Sequence, residues 1–455
     1  MSAFFSTAWL KDRLTERTMR GIALETSALI RSGAIPVGTQ LPPVREIARA
    51  LGVSPATISS AWSELRRHNV ISGRGRNGVW VCGDKIAPRP SRFENIGNFG
   101  EHVIDLTVAV PDPALLPPLG DALLHGAEVA MLNSYLRVPI LDSLQAVMRP
   151  RWPYAAEAFL ATNGGYDAVN VTLQALVMPG SVVAIENPTA MRLLDILDNL
   201  RAHIIPVNCD EHGPCPKSLA EALQKKPSAF LYQPRTHAIT GHQVSSERLK
   251  ELARVLKDSD LVIVEDDGIG DLSSLPPASL GAHYPERTVH ILSLSKAFGP
   301  DLRLAVLSSS ASIVDQIQAY RSFGAGWTSR ILQAAGAWLI ADLASNAAVD
   351  HAKTVYGTRR RALIDRMKDR GLHIPDRDGL CLWLPVRSEQ FALVTLAARG
   401  IAVLPGKKCS ITDTQHIRVA TSLLTDQVDA VADALALVHP TGASDQREGF
   451  GRYSV

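Results

Sequence analysis

The 455-residue sequence lacks the features of a membrane protein or a disulfide scaffold. No uncharged apolar run approaches the ~20 residues needed to span a bilayer, and residues 1–13 show no basic segment ahead of an apolar stretch. Neither a spanning helix nor a signal peptide is therefore expected, and the expected location is cytoplasmic, with no membrane partner. Its five cysteines, Cys82, Cys209, Cys215, Cys381 and Cys409, are odd in number, scattered, and form no CxxC pair. That spacing argues against a disulfide framework and a structural zinc site, so no metal is expected. No fixed-period repeat or low-complexity tract is present, and with 46% hydrophobic and 20% charged residues the chain is neither disordered, collagen-like nor coiled-coil.

What is present is an uneven charge. The net charge is only +2, but residues 1–85 carry 12 Lys/Arg against 6 Asp/Glu, leaving 35 against 39 for the remainder. A basic head on a mildly acidic body suits a molecule whose head alone meets a polyanion. In the head, Met19, Ile22, Ala23 and Ile30 recur at helical spacing and predict a helix over 18–31, stopped by Gly33 and Pro36. A second helix is predicted to open within Leu41-Pro42-Pro43-Val44-Arg45-Glu46, with Ile47, Ala48 and Leu51 as its apolar positions, and to end at Gly52. Ser54 is a natural N-cap with Pro55 at the first helical position, and the third helix turns Ile58, Ala61, Trp62 and Leu65 inward. Its other face carries Thr57, Ser59, Ser60 and Arg67. Residues 70–81 read as two short strands around a turn containing Asn77-Gly78, which completes a winged helix-turn-helix. Such a fold lays its third helix in the major groove of double-stranded DNA while wing arginines reach phosphates or the minor groove. The candidate DNA-contacting residues are Arg45, Thr57, Ser59, Arg74 and Arg76.

The segment LPPVREIARALGVSPATISSAWSELRRHNVISGRGRNGVWV, residues 41–81, is similar in order and spacing to the DNA-binding domain of GntR-family bacterial regulators. The resemblance implies DNA contacts by Arg45 and Thr57. Pro55 stands where the family often has a basic or polar residue, so no base preference carries over.

Residues 84–104 mix prolines, glycines and charges without periodicity and are expected to be a linker. Beyond it, apolar runs at 181–185, 203–207, 229–232, 261–264, 289–292 and 304–307 alternate with helical patterns, predicting a mainly parallel α/β sheet covered by helices on both faces. Three strand ends carry chemistry. Thr162-Asn163-Gly164-Gly165 leads into an apolar helix and offers amide hydrogens to a phosphate. A buried strand ends in Glu265-Asp266-Asp267, where a carboxylate can hold a protonated ring nitrogen. A further strand ends in Ser293-Leu294-Ser295-Lys296, with Arg303 following. A desolvated lysine is a free amine nucleophile, and an arginine beside it pairs with phosphate.

Together these meet the needs of pyridoxal 5′-phosphate. The region from about Asp105 to His439 resembles the fold-type I aminotransferases. The resemblance implies Lys296 as the Schiff-base lysine, Asp266 at the pyridine nitrogen, Gly164, Gly165, Ser293 and Arg303 at the phosphate, and Arg418 as a clamp for a ligand carboxylate. Departures accompany it: Ala238 replaces an asparagine and Gly268 a tyrosine that would donate to the ring hydroxyl, and Ala190, Ile140 and Gln145 replace further family residues. Losing both donors weighs the body toward a ligand sensor rather than an enzyme.

A GntR-type head joined to an aminotransferase-like body resembles the MocR subgroup of transcription regulators. The expected organisation is a winged helix-turn-helix at 1–83, a linker at 84–104, an aminotransferase-like domain at 105–440 and a disordered tail at 441–455. The resemblance implies a homodimer that binds DNA and senses pyridoxal phosphate or an amino compound as its small-molecule effector. The alternatives are an active aminotransferase with a DNA-binding appendage, and a repressor whose body has lost the cofactor.

Overall fold

A computed structural model describes residues 7–31, 34–67, 70–73, 78–82, 90, 92, 99–100, 102–130 and 132–440. Arg74 and Arg76, most of 84–104 and the tail at 441–455 lie outside them. The chain divides into two compact units, Met1–Ser91 and Arg92–Val455.

The first unit runs α1 (Thr7–Lys11), α2 (Met19–Arg31), β1 (Gln40–Leu41), α3 (Val44–Leu51), α4 (Pro55–Arg67), β2 (Ile71–Ser72) and β3 (Val79–Val81). Ile58, Ala61, Trp62 and Leu65 of α4 are buried with Ile22 of α2, Ile47 and Leu51 of α3 and Val81 of β3 in one core. The Ser54 hydroxyl accepts the Thr57 amide at 3.1 Å, capping α4, and Gly52, at φ 68°, ends α3 in the left-handed conformation that favours glycine. The second helix opens at Val44, within the segment expected to start it. Leu41 pairs with Val79 as a strand, because Pro42 and Pro43 supply no amide hydrogens and hold the chain extended until Val44. β3 lies between β1 and β2, antiparallel to both. The sequence pattern also missed α1, which adds Leu10 to the core.

The second unit begins with β4 (Ile104–Leu106), α5 (Gly120–Ala127) and α6 (Asp142–Met148). It continues through β5 (Ala158–Thr162), α7 (Gly165–Leu176), β6 (Val182–Asn187), α8 (Met191–Asn199), β7 (His203–Asp210), β8 (Gly213–Pro214), α9 (Pro216–Leu223) and β9 (Ala229–Tyr232). Next come α10 (Ser246–Leu256), β10 (Val262–Asp267), β11 (Thr288–Ser293), α11 (Ser295–Phe298), β12 (Ala305–Ser309), α12 (Ala311–Arg321), α13 (Arg330–Ala341) and α14 (Leu343–Lys368). It closes with β13 (Cys381–Pro385), α15 (Glu389–Ala397), β14 (Ile401–Pro405), β15 (His416–Ala420) and α16 (Val428–Val438).

Eight strands form one sheet in the order β5-β12-β11-β10-β9-β6-β7-β8. The neighbours from β11 to β7 pair in parallel, while β12 runs antiparallel to both β11 and β5. Alternate strand residues feed opposite faces. Ile185, Leu231, Val264 and Ile291 pack with α7 and α12 on one face. On the other, Phe230 and Ile263 pack with α10, and Leu292 and Val306 with α13. A second, four-stranded sheet, β13-β15-β14-β4, packs Leu382, Leu384, Ile417 and Val419 against α15 and α16. Each of the six apolar runs is a strand of the large sheet. Parallel strands bring the segments after β6, β9, β10 and β11 to the same edge, which is where an open α/β sheet binds ligands.

Candidate functional site

In the first unit Arg45 on α3 and Ser59 on α4 are exposed, and Thr57 is half-buried with its hydroxyl 2.8 Å from that of Ser54. Half-buried Arg66 and exposed Arg67 stand at the end of α4, a basic helix terminus next to short polar side chains.

In the second unit β5 leads to Gly164, whose φ of 105° admits only glycine comfortably, and α7 starts at the next residue. A side chain at Gly165 would come within 3.1 Å of the Ser293 Cβ and 3.7 Å of Asp266 Oδ1, so Gly165, Ser293 and Asp266 enclose one small space. The Arg303 guanidinium lies 3.7 Å from where a Gly164 Cβ would stand, and Arg303 is exposed. Two glycine amides, a helix N-terminus, a hydroxyl and a guanidinium therefore surround a position suited to phosphate.

Asp266 is 2% exposed and accepts a hydrogen bond from Gln233 Nε2 at 3.2 Å. Burial pushes its carboxyl up to about 7, with the charges of Asp267 and Glu186 adding to the shift. A cationic ring nitrogen is the partner that would restore its charge. The other two acids of the strand are engaged elsewhere. Glu265 accepts from Tyr232 at 2.5 Å, Ser279 at 2.5 Å and the Leu280 amide at 2.7 Å, and lies 2.8 Å from His290. Asp267 forms a buried ion pair with Arg235 at 2.7 Å.

Lys296 is half-buried on α11 and donates to the Ala109 carbonyl at 2.6 Å. Desolvation, with the nearby charge of Arg418, brings its ammonium down to about 8. Arg418 is buried in the middle of β15, hydrogen-bonded through one terminal nitrogen to the Thr107 carbonyl, and its Nε has no hydrogen-bond partner among the described residues. A buried, unsatisfied guanidinium nitrogen is costly unless a ligand completes it.

The structure thus gathers Gly164, Gly165, Ser293, Arg303 and Asp266, while Lys296, three residues beyond Ser293, lies within electrostatic reach of Arg418. Sequence reasoning passed over two residues there. Tyr166 follows the cradle directly and is 38% exposed, and its hydroxyl is shifted upward by burial and by Asp266. Gln233 bridges Asp266 and the Ala238 amide, its Oε1 accepting the latter at 2.9 Å. Tyr166 was visible as an aromatic at a helix start beside two glycines. The role of Gln233 depends on β9 lying beside β10, which spacing does not reveal.

Residues 102–435 match the family described as aminotransferase class I and II, and residues 18–81 match the gntR family of bacterial regulatory proteins. The vitamin B6 salvage pathway transcriptional repressor PtsJ of Salmonella typhimurium is 30% identical, over 87% of this chain and 92% of that protein. The pyridoxine biosynthesis transcriptional regulator PdxR of Corynebacterium glutamicum is 24% identical over 87% of both chains. Among solved structures, a kynurenine aminotransferase of Pyrococcus horikoshii superposes with a TM-score of 0.66 at 19% identity, covering 74% of this chain and 90% of that one. An aspartate aminotransferase of Thermus thermophilus superposes at 0.65 and 20%, covering 73% and 90%. The second unit has the fold of the aminotransferases, and no helix among the described residues is long and apolar enough to cross a membrane. With a DNA-binding head and an aminotransferase-type body in a single chain, the protein belongs to the MocR subgroup of GntR-family transcription regulators.

Proposed function

We propose that this DNA-binding regulator holds pyridoxal phosphate in its body and couples occupancy of that site, by the cofactor or by an amino compound, to its hold on DNA. The names of PtsJ and PdxR, both tied to vitamin B6, support the reading. The observation that carries it is the close approach of Gly165 to Ser293 and Asp266, with the Arg303 guanidinium beside Gly164 and Lys296 three residues beyond Ser293.

Pyridoxal phosphate supplies an aldehyde that condenses with amines and a ring that withdraws electrons from the product. Gly164, Gly165, Ser293 and Arg303 would bind its phosphate. Asp266, held by Gln233, would hold the ring nitrogen. Lys296 keeps a substantial fraction of free amine near neutral pH and would be the covalent anchor. Arg418 would orient the carboxylate of an amino-acid-like effector through its unsatisfied Nε. Positions 238 and 268 offer no side-chain donor to the ring hydroxyl, which favours sensing over efficient turnover. The functional molecule in this reading is a homodimer whose two heads address paired half-sites, with residues 84–104 as the tether.

The test is the visible spectrum of the purified full chain after addition of pyridoxal phosphate and removal of the excess. Wild type is expected to keep a long-wavelength band that Lys296→Ala lacks, and to bind its own promoter with a different affinity when loaded. A monomer whose DNA affinity is the same with and without cofactor would refute the reading. Arg418 also favours a second reading, residual aminotransfer. Conversion of the loaded protein's spectrum by amino acids, with release of the matching oxo acid, would establish it.

A further inference from the structure

We infer that the body carries a zinc site, separate from the cofactor cradle, formed by Glu186 at the end of β6, Cys209 on β7 and His242 in the segment between β9 and α10. A carboxylate oxygen, the sulfur and a ring nitrogen of these residues lie within 4.8 Å of one another, and all three residues are buried. On these residues, Glu186 Oε2 and His242 Nε2 are buried with no hydrogen-bond partner among the described residues. Cys209 Sγ has a 3.9 Å contact to the Val207 carbonyl and a backbone hydrogen bond from Asn187. Unsatisfied buried polar atoms are rare, and several converging on one point indicate a missing partner.

The surrounding hydrogen bonds determine which nitrogen of each histidine is free. His237 Nδ1 accepts the amides of Ile239 and Thr240 at 3.3 and 3.1 Å, so it carries no proton. The Thr240 hydroxyl lies 3.0 Å from that nitrogen and 2.6 Å from His242 Nδ1. Its single hydrogen therefore points to His237, and its lone pair receives the Nδ1–H of His242. This tautomer leaves His242 Nε2 as a bare lone pair, the form in which imidazole binds metal with its other nitrogen tied down. His237 in turn carries its hydrogen on Nε2, 3.3 Å from Glu186 Oε1, and its ring stacks on His242 at 4.4 Å. Glu186 Oε1 also accepts the Gln233 amide at 3.0 Å, which leaves Oε2 as the ligand. His237 and Thr240 are thus positioning residues.

The chemistry of the donors selects the ion. Thiolate, imidazole and carboxylate are the ligands of zinc, with a water in the fourth tetrahedral position. A divalent ion balances the thiolate and carboxylate charges, so the filled site is neutral, whereas two buried anions alone would be costly. Binding requires the Cys209 thiol to release its proton to solvent. Cysteine spacing alone pointed away from a metal, because these ligands come from three separate elements that only the sheet order brings together.

The test uses the full chain, stripped by a chelator and titrated with zinc chloride against a chromophoric competitor. Wild type is expected to bind one zinc per chain, with affinity reduced at least a hundredfold in Cys209→Ser. Thr240→Val, which releases the His242 tautomer, should weaken binding by about 10–100-fold, the usual effect of losing an outer partner. Cobalt in place of zinc should give a sulfur-to-metal charge-transfer absorption in wild type. Zinc binding equal in wild type and a Cys209→Ser protein with native near-ultraviolet circular dichroism would overturn the site. If that variant does not fold, a wild-type cobalt spectrum without the sulfur band would overturn it alone. None of these readouts depends on pyridoxal phosphate.

Discussion

Lys296 and Arg418 sit on different elements, α11 and β15, yet the guanidinium charge helps hold the lysine near 8. The sign of the effect is simple: a nearby cation disfavours the ammonium and enlarges the fraction of free amine at neutral pH. Capture of pyridoxal phosphate by apo protein should therefore accelerate with rising pH, with a midpoint near 8. Arg418→Met removes the charge and keeps an unbranched side chain in the buried position. Its midpoint should move upward and capture at pH 7 should slow, read as the rate of spectral change against pH. A midpoint that stays or falls would show that desolvation alone sets the lysine. The same residue-level reading separates the three consecutive acids of β10. Glu265 and Asp267 project to one side and are consumed by Tyr232, Ser279, His290 and Arg235, while Asp266 projects to the other and faces Gly165.

Helix α4 is the element on which DNA recognition would depend, and its start rests on one side chain. Ser54 accepts the Thr57 amide and shares a hydroxyl contact with Thr57. Ser54→Ala should cost the first unit about 1 kcal/mol and Ser54→Gly only a few tenths, measured by denaturant unfolding of the full chain monitored through Trp62. Equal losses in the two variants would mean the cap contributes nothing. The cap, Pro55 and the inward face of α4 were legible because they are local in sequence. The six apolar runs of the large sheet were legible for a related reason: strands buried on both faces become uninterrupted apolar runs. β5 (Ala158–Thr162) is just as apolar, preceded by Pro153 and followed by Asn163-Gly164-Gly165, yet the sequence pattern marks only its last residue, Thr162, as a strand end. The four-stranded sheet was missed because β13, β14 and β15 mix Pro385, Pro405, His416 and Arg418 into short strands. β1 was missed because two residues carry no period. The site followed the same division. Gly164, Gly165, Lys296 and Asp266 sit in recognisable strand-end motifs, whereas Gln233 and the Glu186–Cys209–His242 cluster exist only once β6, β7 and β9 are side by side.

At the scale of the whole molecule, each unit has its own hydrophobic core. Among the described residues, the core containing Trp62 draws on residues from Trp9 to Val81, and the large-sheet and small-sheet cores draw on the second unit. Cooperative unfolding follows shared cores, so the two units should melt as separate transitions in calorimetry. A ligand held only by second-unit residues stabilises that unit alone. At a hundredfold excess over its Kd it contributes about 2.7 kcal/mol. With an unfolding entropy of about 2.1 cal/mol/K per residue, the body's midpoint should rise by about 4 °C. The expected result is that pyridoxal phosphate raises the larger transition and leaves the smaller one in place, and that it shifts neither transition in Lys296→Ala. If effector occupancy also alters DNA binding, the signal must pass between two units with separate hydrophobic cores rather than through a continuous core. A single transition that shifts as a whole would instead mean that head and body fold as one cooperative unit, and that cofactor binding reaches α4 through its stability.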